Sequence, residues 1–307
     1  MSSSEPKSES QSEQEPEPRI YKIAIMILPL GVIIGTIVFM VMYFKLEHDD
    51  ERKQEIIAAH GVNYKDLYDM VGKFNDRIGP RSIDSNEGRK GLERATAMIE
   101  GRLGVQNVGL KIQRGEGEAA HGKLWQSRWV NILGEKHPKE IVIIATTLTG
   151  KGETADANCV ATTALLASAN AAKKPARTLR FVFLPYDLPD DQQNAWLLKR
   201  CLTDGEKCAA IIGFKTMKSE LFAGSKDWVA DLYGEGEALW GYMQGHRAKF
   251  AFEPSAKSAP AVWLTHAVFS ADSWKNDDRT RLERTEAIAP DLSKWILKAA
   301  GGELGGS

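Results

Sequence analysis

The chain has 307 residues, of which 43% are hydrophobic and 26% are charged. That length and composition are sufficient for one sizeable hydrophobic core. Its 40 Lys and Arg residues nearly balance its 41 Asp and Glu residues, for a formal net charge of −1. No overall positive field therefore draws the protein to nucleic acid, and we expect no nucleic-acid partner.

The first 19 residues form a tail of Ser, Glu, Gln and Pro with almost no apolar side chains. Such a segment cannot bury enough surface to offset the entropy lost on ordering. We therefore predict that residues 1–19 are a disordered acidic tail.

The next segment, residues 20–45, has the pattern of a membrane anchor. Residues 23–44 contain no charged side chain, and as a helix they cover about 33 Å. Aromatic and cationic side chains, which are typical of a membrane interface, stand at its ends: Tyr21, Lys22, Tyr43 and Lys45. A cleaved signal peptide is the rival interpretation, but the preceding acidic stretch and the lack of a small-x-small cleavage site argue against it. The sequence thus predicts a single-pass helix in a lipid bilayer.

Two further properties of the anchor follow less directly from the sequence. A short tail before a large domain favours a plasma (inner) membrane protein with a cytoplasmic N-terminus and an extracytoplasmic C-terminal domain. Basic residues lie on both sides of the span, so their count barely discriminates between orientations. Gly31 and Gly35 form a small-xxx-small pair, which could let two anchors pack as a homodimer. Glycine is common in membrane helices, so the pair by itself is weak evidence for a dimer.

The three cysteines leave two alternatives open. Cys201 and Cys208 stand seven positions apart across CLTDGEKC, close enough to form a disulfide in an oxidising compartment. The same spacing is compatible with two buried thiols. Cys159 falls within a helical pattern, where a small apolar thiol packs readily in a core.

After a juxtamembrane linker, residues 46–62, helical and strand patterns alternate over a domain that we place at residues 63–300, with a flexible tail at 301–307. The run Ile141–Ala145 has no polar alternation, which predicts a central strand buried on both faces. Alternating strands and helices predict a three-layer α/β/α sandwich with a mostly parallel mixed central sheet. Helices are predicted at 64–78, 86–103, 157–173, 190–201 and 291–300, and strands at 110–113, 129–133, 141–145, 179–184 and 209–214.

Four motifs in this domain resemble those of a known family: ATTLTG at a strand end, DANC at a helix start, and the strands RFVFLPYD and AAIIGF. Over residues 63–300 the chain is similar to the zinc-dependent, co-catalytic two-zinc aminopeptidases of the bacterial leucyl aminopeptidase type. In that family, the motifs carry His-x-Asp, Asp-Asn, Glu-Glu and Asn-x-Asp, and a further His follows near the C-terminus. Two zinc ions share a bridging carboxylate and polarise a water molecule, and the first Glu acts as general base.

This chain departs from the family pattern at each metal-ligand position. The resemblance places the ligand and base positions on Thr146, Leu148, Ala157, Asp187, Leu188, Gly213 and Lys215, and near Lys275. Thr, Leu, Ala and Lys cannot replace imidazole and carboxylate ligands at such a site. The Asn beside the bridging position is retained as Asn158. The apolar Leu148 and Leu188 should be covered by other side chains, since apolar residues at strand ends are stable when buried.

The resemblance therefore implies a membrane-anchored, non-catalytic relative of the aminopeptidases that has lost zinc and acts in protein or peptide binding or assembly. The alternative is an active membrane-bound metallohydrolase or aminopeptidase with a site rebuilt around Asp156, Asp187 and His266. Asp156 also has a simpler role as a helix N-cap, and His266 as a core or loop histidine.

Other catalytic chemistries fit less well. ATTLTGKGET lies between a strand and a helix, as a phosphate-binding loop does, but Ala145 stands at the first glycine and Gly152 follows the lysine. The sequence has no G-x-S-x-G motif. Thr146 and Thr147 have no histidine nearby in the sequence to activate them.

Overall fold

The computed structural model describes residues 32–45, 61–120, 123–216, 228–246, 253–270 and 278–301. The chain divides between Glu51 and Arg52 into two units. The described part of the first unit is one helix, α1 (32–45). The second unit is a mixed α/β domain.

Helix α1 overlaps the C-terminal part of the predicted membrane span. Its large apolar side chains are exposed within its unit, Phe39 for example at 70%. Among the described residues, no helix is both long enough and apolar enough to cross a membrane. Residues 23–31 of the predicted span, with Gly31, lie outside the described residues. At Gly35, an added Cβ would meet nothing within 4 Å.

The second unit begins with helices and then builds a seven-stranded sheet. Its helices are α2 (Tyr64–Lys73), continued by a π-helical turn (Phe74–Ile78), α3 (Asn86–Leu103), α4 (Thr154–Asn170), α5 (Asp190–Arg200), α6 (Gly236–Met243) and α7 (Asp278–Ala299). Its strands are β1 (Gln113–Ala120), β2 (Lys123–Ile132), β3 (His137–Thr147), β4 (Arg177–Leu184), β5 (Lys207–Phe214), β6 (Trp228–Tyr233) and β7 (Ala261–His266).

The sheet is mixed, with the strand order β1-β2-β4-β3-β5-β7-β6. Strands β4, β3, β5 and β7 are parallel in the middle, whereas the pairings β1–β2, β2–β4 and β6–β7 are antiparallel. The sheet was predicted to be mixed and mostly parallel. It is mixed, but its parallel strands are confined to the centre and its edge pairings are antiparallel. Two residues separate β1 from β2, too few for the crossover that a parallel pair needs. The buried run Ile141–Ala145 is in the fourth of the seven strands, which confirms its central position.

Helices cover both faces of the sheet. Thr146 of β3 faces α4, because its Oγ1 lies 3.5 Å from Cys159 Sγ. Ile143, three residues earlier, points to the opposite face with its register partner Arg180 of β4. The Arg180 guanidinium donates to the carbonyl of Cys201, at the C-terminal end of α5. Helices α4 and α5 therefore pack on opposite faces of the sheet.

Several element boundaries differ from those predicted. Helix α4 begins at Thr154 rather than 157, and β1 begins at Gln113, where the predicted strand ended. Strand β6, helix α6 and strand β7 were not predicted. Helix α7 extends back to Asp278 across Pro290. Pro290 is exposed, so the carbonyl that loses its helical hydrogen bond there can be solvated.

A buried arginine links β2, β4 and the end of α5. The Arg180 side chain is 1% exposed and makes a two-pronged ion pair with Glu206, at 2.8 and 2.9 Å. Its Nε donates to Asn131 Oδ1 at 2.8 Å, and its guanidinium lies 5.5 Å from the ring centroid of Trp129. Pairing the donors in this way offsets the cost of burying the guanidinium.

The three cysteines are buried, free thiols. The disulfide that the spacing of Cys201 and Cys208 allowed is therefore not formed in the structure. Burial raises the pKa of each thiol, including Cys159, to about 12. These thiols are protonated near neutral pH, and a protonated buried thiol is a poor nucleophile.

We predict that Glu206→Gln destabilises the domain. Burial alone would raise the pKa of the Glu206 carboxyl, but hydrogen bonds and charge from Arg180, with the Thr203 amide, hold it below its ordinary value. The lowered folded-state pKa means that this carboxylate stabilises the fold above the ordinary Glu pKa, and that the contribution is lost as pH falls through the folded value. Urea unfolding near pH 7 should show a loss of about 1–3 kcal/mol, and the difference from the parent should shrink in acid.

Glu283→Gln is the matched control, because Glu283 makes an exposed helical ion pair with Arg279. It should change the unfolding free energy by less than about 0.5 kcal/mol. Equal losses of unfolding free energy in the two variants would show that the buried Arg180–Glu206 pair stabilises the domain no more than an exposed ion pair does.

Candidate functional site

A cleft with a volume of about 540 Å³ opens at the carboxyl ends of β3 and β4. This edge of a parallel sheet is where α/β proteins form ligand sites. Its lining residues come from the turn after α2, the end of β3 and the loop after it, the N-terminus of α4, and the segments after β4 and β5: Arg81, Ser82, Ile83, Asp84, Thr147, Thr149, Gly150, Lys151, Glu153, Asp156, Tyr186, Asp187 and Thr216.

The first wall is the turn that follows the π-helical end of α2. Gly79 takes φ +70°, a left-handed conformation that favours glycine. The turn then pairs with the loop after β3 by two backbone hydrogen bonds, Arg81 N to Gly150 O at 2.7 Å and Gly150 N to Arg81 O at 2.9 Å. Gly152, at φ +88°, would bring a Cβ to 3.1 Å from the backbone of Gly79. The two loops therefore fix each other.

The Arg81 side chain fills the space between these loops. It is 1% exposed. Its Nε donates to Leu148 O at 2.7 Å, Nη1 donates to Gly79 O at 3.1 Å, and the guanidinium lies 5.0 Å from the Phe74 ring centroid. Its Nη2 is buried and has no hydrogen-bond partner among the described residues. Burial lowers the pKa of Arg81, an effect that the nearby charge of Asp156 opposes.

The second wall is the N-terminus of α4. Glu153 is its N-cap residue but makes no side-chain capping hydrogen bond. Asp156, predicted as a cap, instead lies in the first turn, where its Oδ2 accepts from the Lys151 amide at 2.7 Å. The helix start was predicted three residues too late, which moved the expected cap. The carboxylate lies beside the first amides of a helix, where negative charge is favoured.

Three of the positions matched to the family's metal site lie in the packed interior. Thr146, Leu148 and Ala157 are at most 1% exposed. Thr146 Oγ1 contacts the thiol of Cys159 at 3.5 Å. The expectation that Leu148 is covered is confirmed, and Leu188 is partly buried against the core. Packed side chains thus occupy these positions.

The remaining matched positions lie in different surroundings and do not form one group of ligands. Asp187 is exposed at the rim of the cleft. Lys215 Nζ lies 2.6 Å from Asp231 Oδ2 on the edge strand β6. At Gly213, an added Cβ would come within 2.0 Å of the Trp263 ring. Lys275 lies outside the described residues.

These residues do not fit a zinc ion. Zinc is held by imidazole, thiolate and carboxylate groups, whereas the described matched positions offer a hydroxyl, two leucines, an alanine, a glycine, a paired lysine and one exposed carboxylate. Within the described parts of the chain, no group of three or more His, Cys, Asp and Glu side chains is placed to hold a metal ion.

The three residues of the alternative, rebuilt site do not share one cleft. Asp156 and Asp187 both line it, but His266 is not among its lining residues. The His266 side chain is buried at the end of β7, where Nδ1 accepts from the Val268 amide at 3.1 Å and the ring stacks edge-on against Trp228 at 4.5 Å. These contacts are those of a structural histidine.

Asn158, which the resemblance matches to the Asn of the family's Asp-Asn motif, is part of a buried network. Its Nδ2 donates to Thr285 Oγ1 on α7 at 2.8 Å and to the Val268 carbonyl at 3.2 Å. Thr285 in turn donates to Arg281 O at 2.8 Å. The network ties α4 to α7 and to the turn after β7, and this accounts for Asn158 without any metal.

The residue that sequence analysis missed is Arg81. It lies in the turn IGPRS, where an arginine would ordinarily be solvated, and no periodicity marks it as buried. The nearby glycines and proline indicate a tight turn, but the partner loop is almost 70 residues away in sequence.

Neither a protein-family model nor a curated protein sequence matches the chain. Among solved structures, it is similar to a candidate Zn-dependent exopeptidase from Bacteroides vulgatus (14% identity, 77% of this chain and 96% of that one, TM-score 0.48). It is also similar to a glutaminyl cyclase from Tannerella forsythia (14%, 77% and 99%, 0.47) and a leucine aminopeptidase precursor from Bacteroides thetaiotaomicron (12%, 77% and 97%, 0.44). At such identities and TM-scores the likeness says nothing of activity, which has to be derived from the side chains.

We predict that Asn158→Ala lowers the free energy of unfolding by about 1–3 kcal/mol, because it leaves buried polar groups without partners. Asn107, which is exposed, provides the control: Asn107→Ala should cost less than about 1 kcal/mol. Denaturant titration of both variants measures the difference. An unchanged midpoint and slope for Asn158→Ala would mean that the network does not stabilise the domain.

Proposed function

We propose that this protein is a membrane-anchored, non-catalytic relative of the zinc aminopeptidases, of the leucyl aminopeptidase type, whose domain binds a peptide or a segment of a partner protein. The observation that carries the proposal is an open cleft next to positions where side chains other than metal ligands are packed or paired. Three of the positions matched to metal ligands hold packed side chains and a fourth is a lysine paired with Asp231, and a cleft is open beside them.

The remaining cleft has the properties of a binding site for a short polar segment. Its volume lies within the ordinary range for ligand sites. Its walls combine hydroxyl groups, backbone amides and both signs of charge, which can pair with a peptide main chain and polar side chains. Ser82 Oγ donates to Asp84 Oδ2 at 2.9 Å in this lining, but no histidine is among the described lining residues to activate a hydroxyl, so the geometry favours binding over hydrolysis.

The anchor is the second part of the proposal. We infer that residues 23–44 lie in the bilayer of the plasma (inner) membrane, with the C-terminal domain outside the cytoplasm. The apolar sequence of this stretch and the exposed apolar side chains of α1 support the inference. Pairing of two chains through Gly31 and Gly35 belongs to the same proposal.

Metal content tests the loss of zinc. The full-length protein is incubated with zinc, desalted and measured by elemental mass spectrometry. We expect far less than one zinc ion per chain, because the matched positions lack ligands. One or two tightly held ions would overturn the non-catalytic proposal and favour a rebuilt metallohydrolase.

Membrane association tests the anchor. The full-length protein should stay with the membrane pellet after alkaline carbonate extraction, and a chain lacking residues 1–45 should be released, since the only predicted apolar span has been removed. Release of the full-length chain by carbonate alone would contradict the anchor.

A further inference from the structure

A basic surface lies at the amino ends of the parallel strands, the end of the sheet opposite the cleft. Three segments form it: residues 133–140 between β2 and the start of β3, 171–177 between α4 and β4, and 202–207 between α5 and β5. Apart from Glu206, which pairs with the buried Arg180, these segments carry six basic and three acidic residues: Lys136, Lys139, Lys173, Lys174, Arg177 and Lys207, with Glu135, Glu140 and Asp204. The surface is therefore positive, in a chain whose formal net charge is −1.

The three segments of the basic surface contact one another. The Lys136 amide donates to the Ala176 carbonyl at 3.1 Å, which joins the segment after β2 to the segment after α4. The Lys139 Nζ lies 3.4 Å from the position that a Cβ on Gly205 would take, so the start of β3 is beside the turn after α5. The positive charges are thus gathered at one end of the domain.

Much of this charge is not neutralised by the fold. Lys174 pairs with Glu135 at 3.6 Å, and Arg177 pairs with Glu140 at 2.6 Å. The other four lysines are exposed and make no ion pair with another described residue: Lys136, Lys139, Lys173 and Lys207. The neighbouring loop 253–260 adds one charge of each sign and leaves the balance unchanged. Positive charge that the protein does not pair is available to an anionic partner.

An exposed leucine stands among these lysines. Leu133 directly follows β2, and its side chain is 69% exposed. The next residue, Gly134, packs so tightly on β4 that an added Cβ would lie 2.5 Å from the carbonyl carbon of Arg177. The backbone beside Leu133 is therefore held at this end of the sheet. An apolar side chain surrounded by lysines suits a membrane interface, where the leucine enters the acyl boundary and the lysines meet the phosphates.

We propose that the basic surface docks on the anionic lipid headgroups of a bilayer, with Leu133 inserted between them. Leu133 favours lipid over nucleic acid, which would contact the lysines but offer the leucine little apolar surface. Docking at this end leaves the cleft, at the opposite end of the parallel strands, accessible from solution. The anchor, if present as proposed above, raises the effective concentration of the domain at the bilayer. That support rests on the proposed function, whereas the charges and Leu133 do not.

A fluorescent probe at position 133 tests the docking in the full-length protein. Leu133→Cys is labelled with an environment-sensitive maleimide dye, and the three native thiols, which are buried and protonated near neutral pH, should take no label. The vesicles contain phosphatidylcholine alone or with about 30% phosphatidylglycerol. We expect a blue shift of the emission on the anionic vesicles, largely reversed in about 1 M NaCl, which screens the charges. The same emission on both kinds of vesicle would overturn the inference.

Leu124→Cys is the matched position control. Leu124 is also exposed, at 55%, and lies near the other end of β2, about 30 Å along the strand from Leu133. Its dye should report an aqueous environment on both kinds of vesicle, and equal shifts at the two positions would overturn the inference. The labelled chains are both reconstituted and added to preformed vesicles. Failure of the anchor, seen as release by carbonate, is then distinguished from failure of the basic surface.

Paired charge substitutions in the labelled chain test the lysines. Lys136→Gln with Lys173→Gln should weaken docking about tenfold or more, measured as a lower salt concentration for half-reversal of the blue shift. Lys90→Gln with Lys111→Gln removes the same charge from exposed positions outside the basic surface and should leave that salt concentration unchanged. Equal effects of the two pairs would overturn the inference. A shift of the same size when DNA is added to neutral vesicles would overturn the assignment to lipid in favour of a nucleic-acid surface.

Discussion

The cleft depends on the guanidinium of Arg81. One side chain holds the carbonyl of Gly79 in the turn after α2 and the carbonyl of Leu148 after β3, and the backbones of the same two loops are joined by a pair of hydrogen bonds through Gly150. Burying a charge between two loops is expensive unless its donors are paired. The arrangement therefore requires both loops in one position, which sets the distance between the cleft's walls and the position of the α4 N-terminus.

Arg180, another buried arginine, differs from Arg81 in the pairing of its hydrogen-bond donors. Its hydrogen bonds and ion pair run to Asn131, Cys201 and Glu206, so β2, β4 and the end of α5 are held by a nearly saturated group. Arg81 keeps one donor without a partner in the described structure. Two arginines of equal burial thus differ in how completely the surrounding groups pair their donors.

The positions that the resemblance matched to metal ligands are occupied by packed or paired side chains. Thr146, Leu148 and Ala157 are parts of the core around β3 and α4, and Lys215 points its charge to Asp231 on the edge strand. Asn158, which the resemblance marked as a retained motif residue, has a structural network instead. Introducing a single metal ligand at one of these positions would have to open packed space or break the Lys215–Asp231 ion pair.

The sequence by itself determined the local elements whose signals are short-range. The apolar run 141–145 identified the central strand, and helical periodicity and Gly104 identified α3. The residue types at the matched positions led us to predict that zinc is not bound. Tertiary structure decided what depends on distant partners: the antiparallel edges of the sheet, the start of α4 at Thr154, and the place of His266 against Trp228 rather than in the cleft. It also decided the burial of Arg81, because the cost of burying a guanidinium depends on carbonyls that only the folded chain brings within hydrogen-bonding distance.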